Sequence, residues 1–392
     1  MKTSLELTTL LWLPIALALA FNAVYLLVFS FAGLFYKNLS RKSAIPPEKR
    51  ILVVYPVYKE DAVIFHSVKQ FMAQRYPAQL FDLYVIADSL QGDTMMALQG
   101  MGAKVCELPP SDKRNKAVAI NYLLGRLTFS YDVCIIMDAD NLVEPDFLSR
   151  IDACFQQGVR VLQTRRIAKS ISNELSLLDT FSEIINNHIF RKGQRALGFS
   201  SSLIGSGMAF DFNLYKEAMQ GMNVFSGFDK ELELRLLENN IRMEYAEDVV
   251  VYDDKVDNHQ VFINQRRRWI YAQLYFLKHY FGRAIVQLIV YHNTDYVNKV
   301  VQFALLPRVI GLGINLLFVA FSAILGLAYF VAASLIFVCT VLALLLPVRV
   351  RLWNTNSLRA LFELPVAFGS MVLALLTSKR AAGKFLHTPH KS

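Results

Sequence analysis

Three blocks along the chain are almost without polar residues, and between the first two the apolar residues fall into short runs separated by charged turns. From Leu7 to Tyr36 no residue is charged. At about 1.5 Å per residue, a helix of that length crosses a ~30 Å hydrocarbon core with some tilt. The run is too long for the apolar part of a cleaved signal peptide and no small-residue cleavage site follows it, so it reads as a retained transmembrane helix. In the second block, Val309 to Val348, only Asn315 is clearly polar. It has about twice the ~20 residues one crossing requires, which predicts a helical hairpin turning near Gly326. The third block, Leu361 to Thr377, is shorter and contains Glu363 and Pro365.

From Arg50 the pattern changes. Ile51 to Tyr55, Leu83 to Ala87, Lys104 to Leu108, Val133 to Met137 and Arg160 to Gln163 are short apolar and β-branched runs alternating with helical periodicity. This alternation predicts an α/β domain with a mostly parallel sheet and helices on both faces. Ligands of such open sheets collect beyond the carboxyl ends of the strands. The residues there are Pro56-Val57-Tyr58-Lys59-Glu60, Asp88-Ser89 and Asp138-Ala139-Asp140-Asn141. Pro46-Pro47 marks the entry to this domain, and the basic aromatic stretch from Arg266 to Arg283 marks its exit. The expected organisation is a transmembrane helix over 7–36, a catalytic domain over 37–283, a juxtamembrane segment over 284–308, a transmembrane hairpin over 309–348 and an interfacial or re-entrant helix with a basic tail over 349–392.

Charge sets the orientation. Lys37, Arg41, Lys42, Lys49 and Arg50 face Glu48 alone after the first helix, so the positive-inside rule places this segment in the cytoplasm. The N-terminus is then outside, the central domain is cytoplasmic, and the hairpin returns to the inside at Arg349 and Arg351. A crossing by Leu361 to Thr377 would put Lys379, Arg380, Lys384 and Lys391 outside against the rule, so an interfacial or re-entrant segment is expected there. This is a multi-pass protein of the inner or plasma membrane. The net charge of +9 with 54% apolar content points to anionic lipid as the partner rather than nucleic acid, since the basic residues flank the apolar blocks. Cys106, Cys134, Cys154 and Cys339 form no close-spaced pair, which argues against a disulfide framework or a zinc site.

Chemistry concentrates at the strand ends. Cys134-Ile-Ile-Met-Asp138-Ala-Asp140 is an apolar strand delivering two carboxylates at alternating positions. Either they hold a hard divalent cation that bridges a diphosphate, or they initiate a turn and cap the helix beginning near Glu144. Asp88 has the spacing to receive the base or ribose of a nucleotide, or forms a turn. Lys116, opening a helix after Pro109-Pro110, meets a phosphate or is a surface lysine.

In order and spacing, several motifs between Ile51 and Tyr271 resemble the inverting family 2 glycosyltransferases, specifically the membrane-embedded branch with the cellulose, chitin and hyaluronan synthases. They are Pro56-Val-Tyr58-Lys-Glu60, Asp88, Lys116 to Asn121, Asp138-Ala-Asp140, Gly205-Ser206-Gly207, Asp229 and Gln265-Arg-Arg-Arg268-Trp269. The resemblance implies a GT-A fold, a nucleotide-diphosphate sugar donor, expected to be a UDP-sugar, and Mg2+ or Mn2+. It implies that Pro56, Tyr58, Glu60, Asp88, Lys116, Asp138, Gln265 and Arg268 bind the donor, with Asp138 and Asp140 holding the metal. Gly205, Ser206, Gly207 and Trp269 would meet the acceptor, and Asp229 would be the general base. Physical chemistry agrees with these roles: inverting transfer needs a base for the attacking hydroxyl and positive groups for the departing diphosphate. Trp269 stacks on a sugar ring or anchors at the membrane interface. Asp229, in Gly227-Phe228-Asp229-Lys230-Glu231, is a base or a helix N-cap.

The expected reaction is metal-dependent inverting transfer of a hexose or N-acetylhexosamine to a growing polysaccharide, with an export partner or oligomer as a possible companion. The closest alternative is addition of one sugar to a lipid. A catalytically silent nucleotide-binding subunit of an export complex is the reading from another class.

Overall fold

The computed structural model describes residues 2–39, 46–110, 115–224 and 226–381; the basic residues Arg41, Lys42, Lys384 and Lys391 lie outside them. Eight strands are present: β1 Ile51–Tyr58, β2 Phe81–Asp88, β3 Lys104–Glu107, β4 Val133–Ile136, β5 Leu142–Val143, β6 Val161–Ala168, β7 Met208–Asp211 and β8 Glu244–Asp253. They form one sheet in the order β3-β2-β1-β4-β7-β6-β8-β5. β1 pairs in parallel with β2 and β4, β2 with β3, and β6 with β8, whereas β7 runs antiparallel to β4 and β6, and β5 to β8. The expected sheet is therefore mixed in its second half.

The helices are α1 Lys2–Gly33, α2 Asp61–Phe71, α3 Gly92–Gly100, α4 Lys116–Leu124, α5 Phe147–Gln156 and α6 Glu174–Asn187. A π-helix, His188–Gly193, runs into α7 Gln194–Ala196, followed by α8 Phe212–Met219, α9 Phe228–Glu238, α10 His259–Ile289 and α11 Thr294–Ala304. The last four are α12 Arg308–Leu325, α13 Leu327–Leu345, α14 Thr355–Leu361 and α15 Leu364–Leu376. Helices cover both faces of the sheet, which is why its central strands are apolar at every position rather than at alternate ones. Ile51, Val53 and Tyr55 of β1 pack into one core, and Leu52 and Val54 into the other.

Among the described residues, Leu10–Gly33, Arg308–Leu325 and Leu327–Leu345 are long and apolar enough to cross a membrane. α14 and α15, bent by 43°, pass the same test only as a pair. The break between α12 and α13 falls at Gly326, whose φ of 131° suits glycine. Some polar groups in these helices pair across the bundle. Trp12 Nε1 donates to Ser322 Oγ at 2.8 Å, and Ser30 Oγ to the Ala343 carbonyl at 2.8 Å. α1 also seats on the π-helix, where a Cβ at Gly193 would run into the Phe29 carbonyl. The bundle of apolar helices and the α/β domain are thus in direct contact.

Candidate active site

At the carboxyl ends of β1, β2 and β4 lies a cleft of about 320 Å³. Pro56, Tyr58, Glu60, Asp88, Lys116, Asp138, Gln265, Arg268 and Trp269 all line it, so the structure brings together every donor residue expected from the sequence. Lys116 is placed by its helix: Asn115 caps α4, its side chain accepting from the Val118 N–H at 2.9 Å. Lys116 Nζ then donates to Asp138 Oδ1 at 2.5 Å and to the Gly205 carbonyl at 2.8 Å. The positive end of α4 and this ammonium together suit a diphosphate. Arg268 comes from α10, whose start is fixed by Asn258 accepting from the Gln260 and Val261 N–H groups. Burial pushes its guanidinium down from the usual range. The enclosed Gln265 Oε1 has no hydrogen-bond partner among the described residues.

The two aspartates of the strand-end pair part company. Asp138 faces the cleft, and Asp140 lies beneath it at 0% exposure. Asp140 Oδ1 accepts from Asn141 Nδ2 at 3.2 Å and Oδ2 from the Asp254 N–H at 3.0 Å. No group of three or more His, Cys, Asp or Glu with metal-binding geometry occurs among the described residues.

Gly205, Ser206 and Gly207 act through their backbone and do not line the cleft. Gln163 Nε2 donates to the Ser206 and Gly207 carbonyls at 3.1 and 3.2 Å, and Gly205 O holds Lys116. Gly207 is required: its φ is 58°, and a Cβ there would approach Val251 Cγ2 to 2.9 Å. Asp229 is not its helix's cap, because α9 is capped at Gly227. Its carboxylate, 17% exposed, lies 3.8 Å from Lys230 Nζ and is not among the groups lining the cleft. Its neighbours on α9 are engaged elsewhere. Glu231 takes Arg235 and the Tyr280 hydroxyl, and the fully buried Glu233 takes Lys299 Nζ at 2.6 Å and the Leu203 N–H at 2.7 Å.

Opposite the donor residues the cleft is closed by a charged network the sequence reading missed. Glu183 of α6 receives Arg166 Nη2 at 2.9 Å, Arg191 Nη1 at 3.3 Å and Lys255 Nζ at 3.7 Å. Asp253 receives Lys255 Nζ at 2.8 Å and Arg166 Nε at 3.4 Å. Burial alone would push the Glu183 carboxyl up; Arg166, Lys255 and Arg191 outweigh it and hold the group well below the usual carboxylate range. Asp253 is likewise lowered, by Arg166 and Lys255 against its burial. Asp253-Asp254 at the end of β8 carries the same strand-end signal as Asp138 and was legible in principle. Glu183 and Arg166 gave none: one sits on an amphipathic helix, and the other follows a register shift between Thr164 and Arg165 that no local pattern announces.

A second, apolar cavity of about 580 Å³ adjoins the cleft and shares Asp179, Ser182, Asn186, Arg266 and Trp269 with it. Its walls include Val309 and Leu312 of α12, Leu344 and Leu345 of α13, and Ala367 and Met371 of α15. It therefore lies at the end of the α12–α13 hairpin that faces the α/β domain. Trp269 is 41% exposed, and the Arg266 guanidinium lies 4.2 Å from its ring centroid.

The family model described as Glycosyltransferase like family 2 matches residues 46–272, more than half of the chain. No curated protein sequence matches it. Among solved structures, the mannosyltransferase PcManGT from Pyrobaculum calidifontis, in complex with GDP-Man and Mn2+, is similar at 16% identity and TM-score 0.54, over 93% of this chain and 98% of that one. Glucosyl-3-phosphoglycerate synthase from Mycobacterium tuberculosis, with Mn2+, UDP-glucose and phosphoglyceric acid, is similar over 59% of this chain and 84% of that one, at 16% identity and TM-score 0.41. S. aureus TarS 1-349 with UDP-GlcNAc is similar over 85% and 91% respectively, at 14% identity and TM-score 0.42. With a GT-A sheet, a cleft at its strand ends and most of its length matched by the family model, the chain belongs to glycosyltransferase family 2.

Proposed function

We propose that this glycosyltransferase moves a hexose or N-acetylhexosamine from a nucleotide-diphosphate sugar to a lipid acceptor at the cytoplasmic face of the membrane. Asp88 meets the nucleoside, and Lys116, Arg268 and the N-terminus of α4 meet the diphosphate. A hard cation such as Mg2+ or Mn2+ fits Asp138, because such ions are commonly held by one or two carboxylates plus the substrate's phosphates rather than by a cage of protein ligands. When bound it neutralises charge on the leaving diphosphate. Asp140, its oxygens taken by Asn141 and the Asp254 N–H, positions the turn behind Asp138. Lys37, Lys49 and Arg50 beside α1, and Arg349 and Arg351 after α13, support a cytoplasmic catalytic domain.

The observation that carries the lipid acceptor is the apolar cavity. A polymer leaving the cleft needs a wet, polar path, whereas this cavity is walled by leucine, valine and methionine from segments apolar enough to lie in the bilayer. Its shared wall with the cleft puts the head of an occupying lipid beside the sugar. Ala367, 3% exposed on α15, lines the cavity away from the donor. Ala367→Trp is expected to abolish sugar transfer while the donor's binding, read by calorimetry, is unchanged. Full transfer in that variant would remove the cavity from the reaction.

A polysaccharide acceptor is the second reading, favoured by the exposed face of Trp269 at the cleft. It requires a base for a sugar hydroxyl, the role Asp229 would then fill after moving to the cleft.

A further inference from the structure

We propose that the acceptor lipid carries a phosphate at its head and that Arg308 holds this phosphate at the mouth of the apolar cavity. The proposal rests on the reading of the cavity as the acceptor's site. Arg308 is the first residue of α12 and lines the cavity. Its Nη2 donates to Ser182 Oγ at 2.7 Å. Its Nη1 is enclosed and has no hydrogen-bond partner, and among the described residues Arg308 enters no ion pair. Arg266 nearby differs on every count: it pairs with Asp179 and lies over the rings of Phe262 and Trp269 at 4.6 and 4.2 Å. Arg266 thus has a carboxylate in contact, whereas Glu183 and Asp179 act on Arg308 only from beyond ion-pair distance.

An enclosed guanidinium with no anion in contact is costly. Where a helix enters the bilayer, such a residue marks a ligand's path by default. A neutral head, an alcohol or a glyceride, would satisfy one N–H and leave the charge unbalanced. A phosphate satisfies the free Nη1 and balances the guanidinium, with the geometry arginine prefers, and α12 presents its positive end to the same point. Ser182, which Arg308 holds, also lines the donor cleft, so the phosphate reaches the wall shared with the sugar.

The transfer then balances without a protein base. A phosphate oxygen of the lipid forms a bond to the sugar's anomeric carbon as the bond from that carbon to the donor's diphosphate oxygen breaks, and the electron pair leaves with the nucleoside diphosphate. An ionised phosphate has no proton to surrender at the attacking oxygen. This agrees with Asp229 not being among the residues that line the cleft.

The test uses the full chain in phosphatidylcholine vesicles, a donor that it turns over, and two acceptors with one tail: a long-chain isoprenyl monophosphate and the corresponding alcohol. Labelled lipid is expected from the monophosphate alone. In Arg308→Gln the KM for the monophosphate is expected to rise by about thirty-fold or more, with donor affinity unchanged and partial recovery in Arg308→Lys. Inorganic phosphate at the same concentration is expected not to compete. Equal transfer to the alcohol, or an unchanged KM in Arg308→Gln, would overturn the phosphate while leaving the lipid reading in place. Competition by inorganic phosphate alone would make this an ion site and overturn it too. Growth of a water-soluble polymer with neither lipid used would overturn both readings.

Discussion

Replacing Glu183 by Gln removes one carboxylate from a group of three cations and two anions enclosed at the back of the cleft. Glu183 is 7% exposed, and its oxygens lie 2.9 Å from Arg166, 3.3 Å from Arg191 and 3.7 Å from Lys255. Asp253 alone cannot neutralise the three, and its contacts reach Arg166 and Lys255 but not Arg191. Breaking a buried pair from one side costs about 3–5 kcal/mol, because the partner is left charged and dry. At about 2–4 °C per kcal/mol for a domain of 150–250 residues, the midpoint of thermal unfolding should fall by roughly 6–20 °C. The assay is intrinsic fluorescence of the detergent-solubilised protein on heating. Because Glu183 and Asp253 are held below the usual carboxylate range, the network's contribution is full above about pH 4 and is lost as pH falls toward the depressed values. The gap between parent and variant should therefore narrow on acidification. Glu183→Gln combined with Arg191→Gln should recover part of the loss, since one orphaned cation goes with the carboxylate. A shift worth less than about 1 kcal/mol, the range of an exposed pair, would refute the reasoning.

Asp138→Asn is expected to weaken Mn2+-dependent donor binding by about ten-fold or more with little change in metal-free binding, as read by calorimetry with and without chelator; equal affinities in both conditions would count against the cation site. Gly207→Ala should destabilise the protein by about 1–3 kcal/mol, seen as a lower unfolding midpoint, because the left-handed backbone and the approach to Val251 both disfavour a Cβ. With a phosphorylated lipid as acceptor, Asp229→Asn should keep transfer within about three-fold of the parent, whereas a fall of roughly 100-fold would mean that a hydroxyl is the nucleophile and Asp229 its base.

Much of this site was legible because parallel strands announce themselves. β1, β2 and β4 are apolar runs within a few residues of the expected limits, β3 is found where expected and β6 starts there but runs five residues further, through Thr164, Arg165 and Arg166; Asp88 and Asp138 could be placed at the sheet's working edge with no coordinates. The strands not anticipated are those whose pattern is weak. β5 is two residues long, β7 four, and β8 carries Glu244, Glu247 and Asp248 among its apolar residues. Their pairing is what makes the sheet mixed. Alternation along an extended segment was read as aiming both carboxylates of Asp138 and Asp140 at one ligand; after Ile136 the chain leaves the strand, and the turn places Asp140 beneath the cleft at 0% exposure. The adjoining cavity had no signature at all. Its walls come from α6, α10, α12, α13 and α15, so it exists only once the bundle has packed against the α/β domain.

The central claim is that the sugar leaves its nucleotide for a lipid in the membrane. Its most direct test is the product made by the full chain in native-membrane vesicles, given radiolabelled UDP- and GDP-sugars with Mn2+ and then partitioned between organic solvent and water. The account predicts one labelled species of discrete mobility in the organic phase, abolished by Ala367→Trp. Label confined to the aqueous phase as a ladder of lengthening polymers would contradict it.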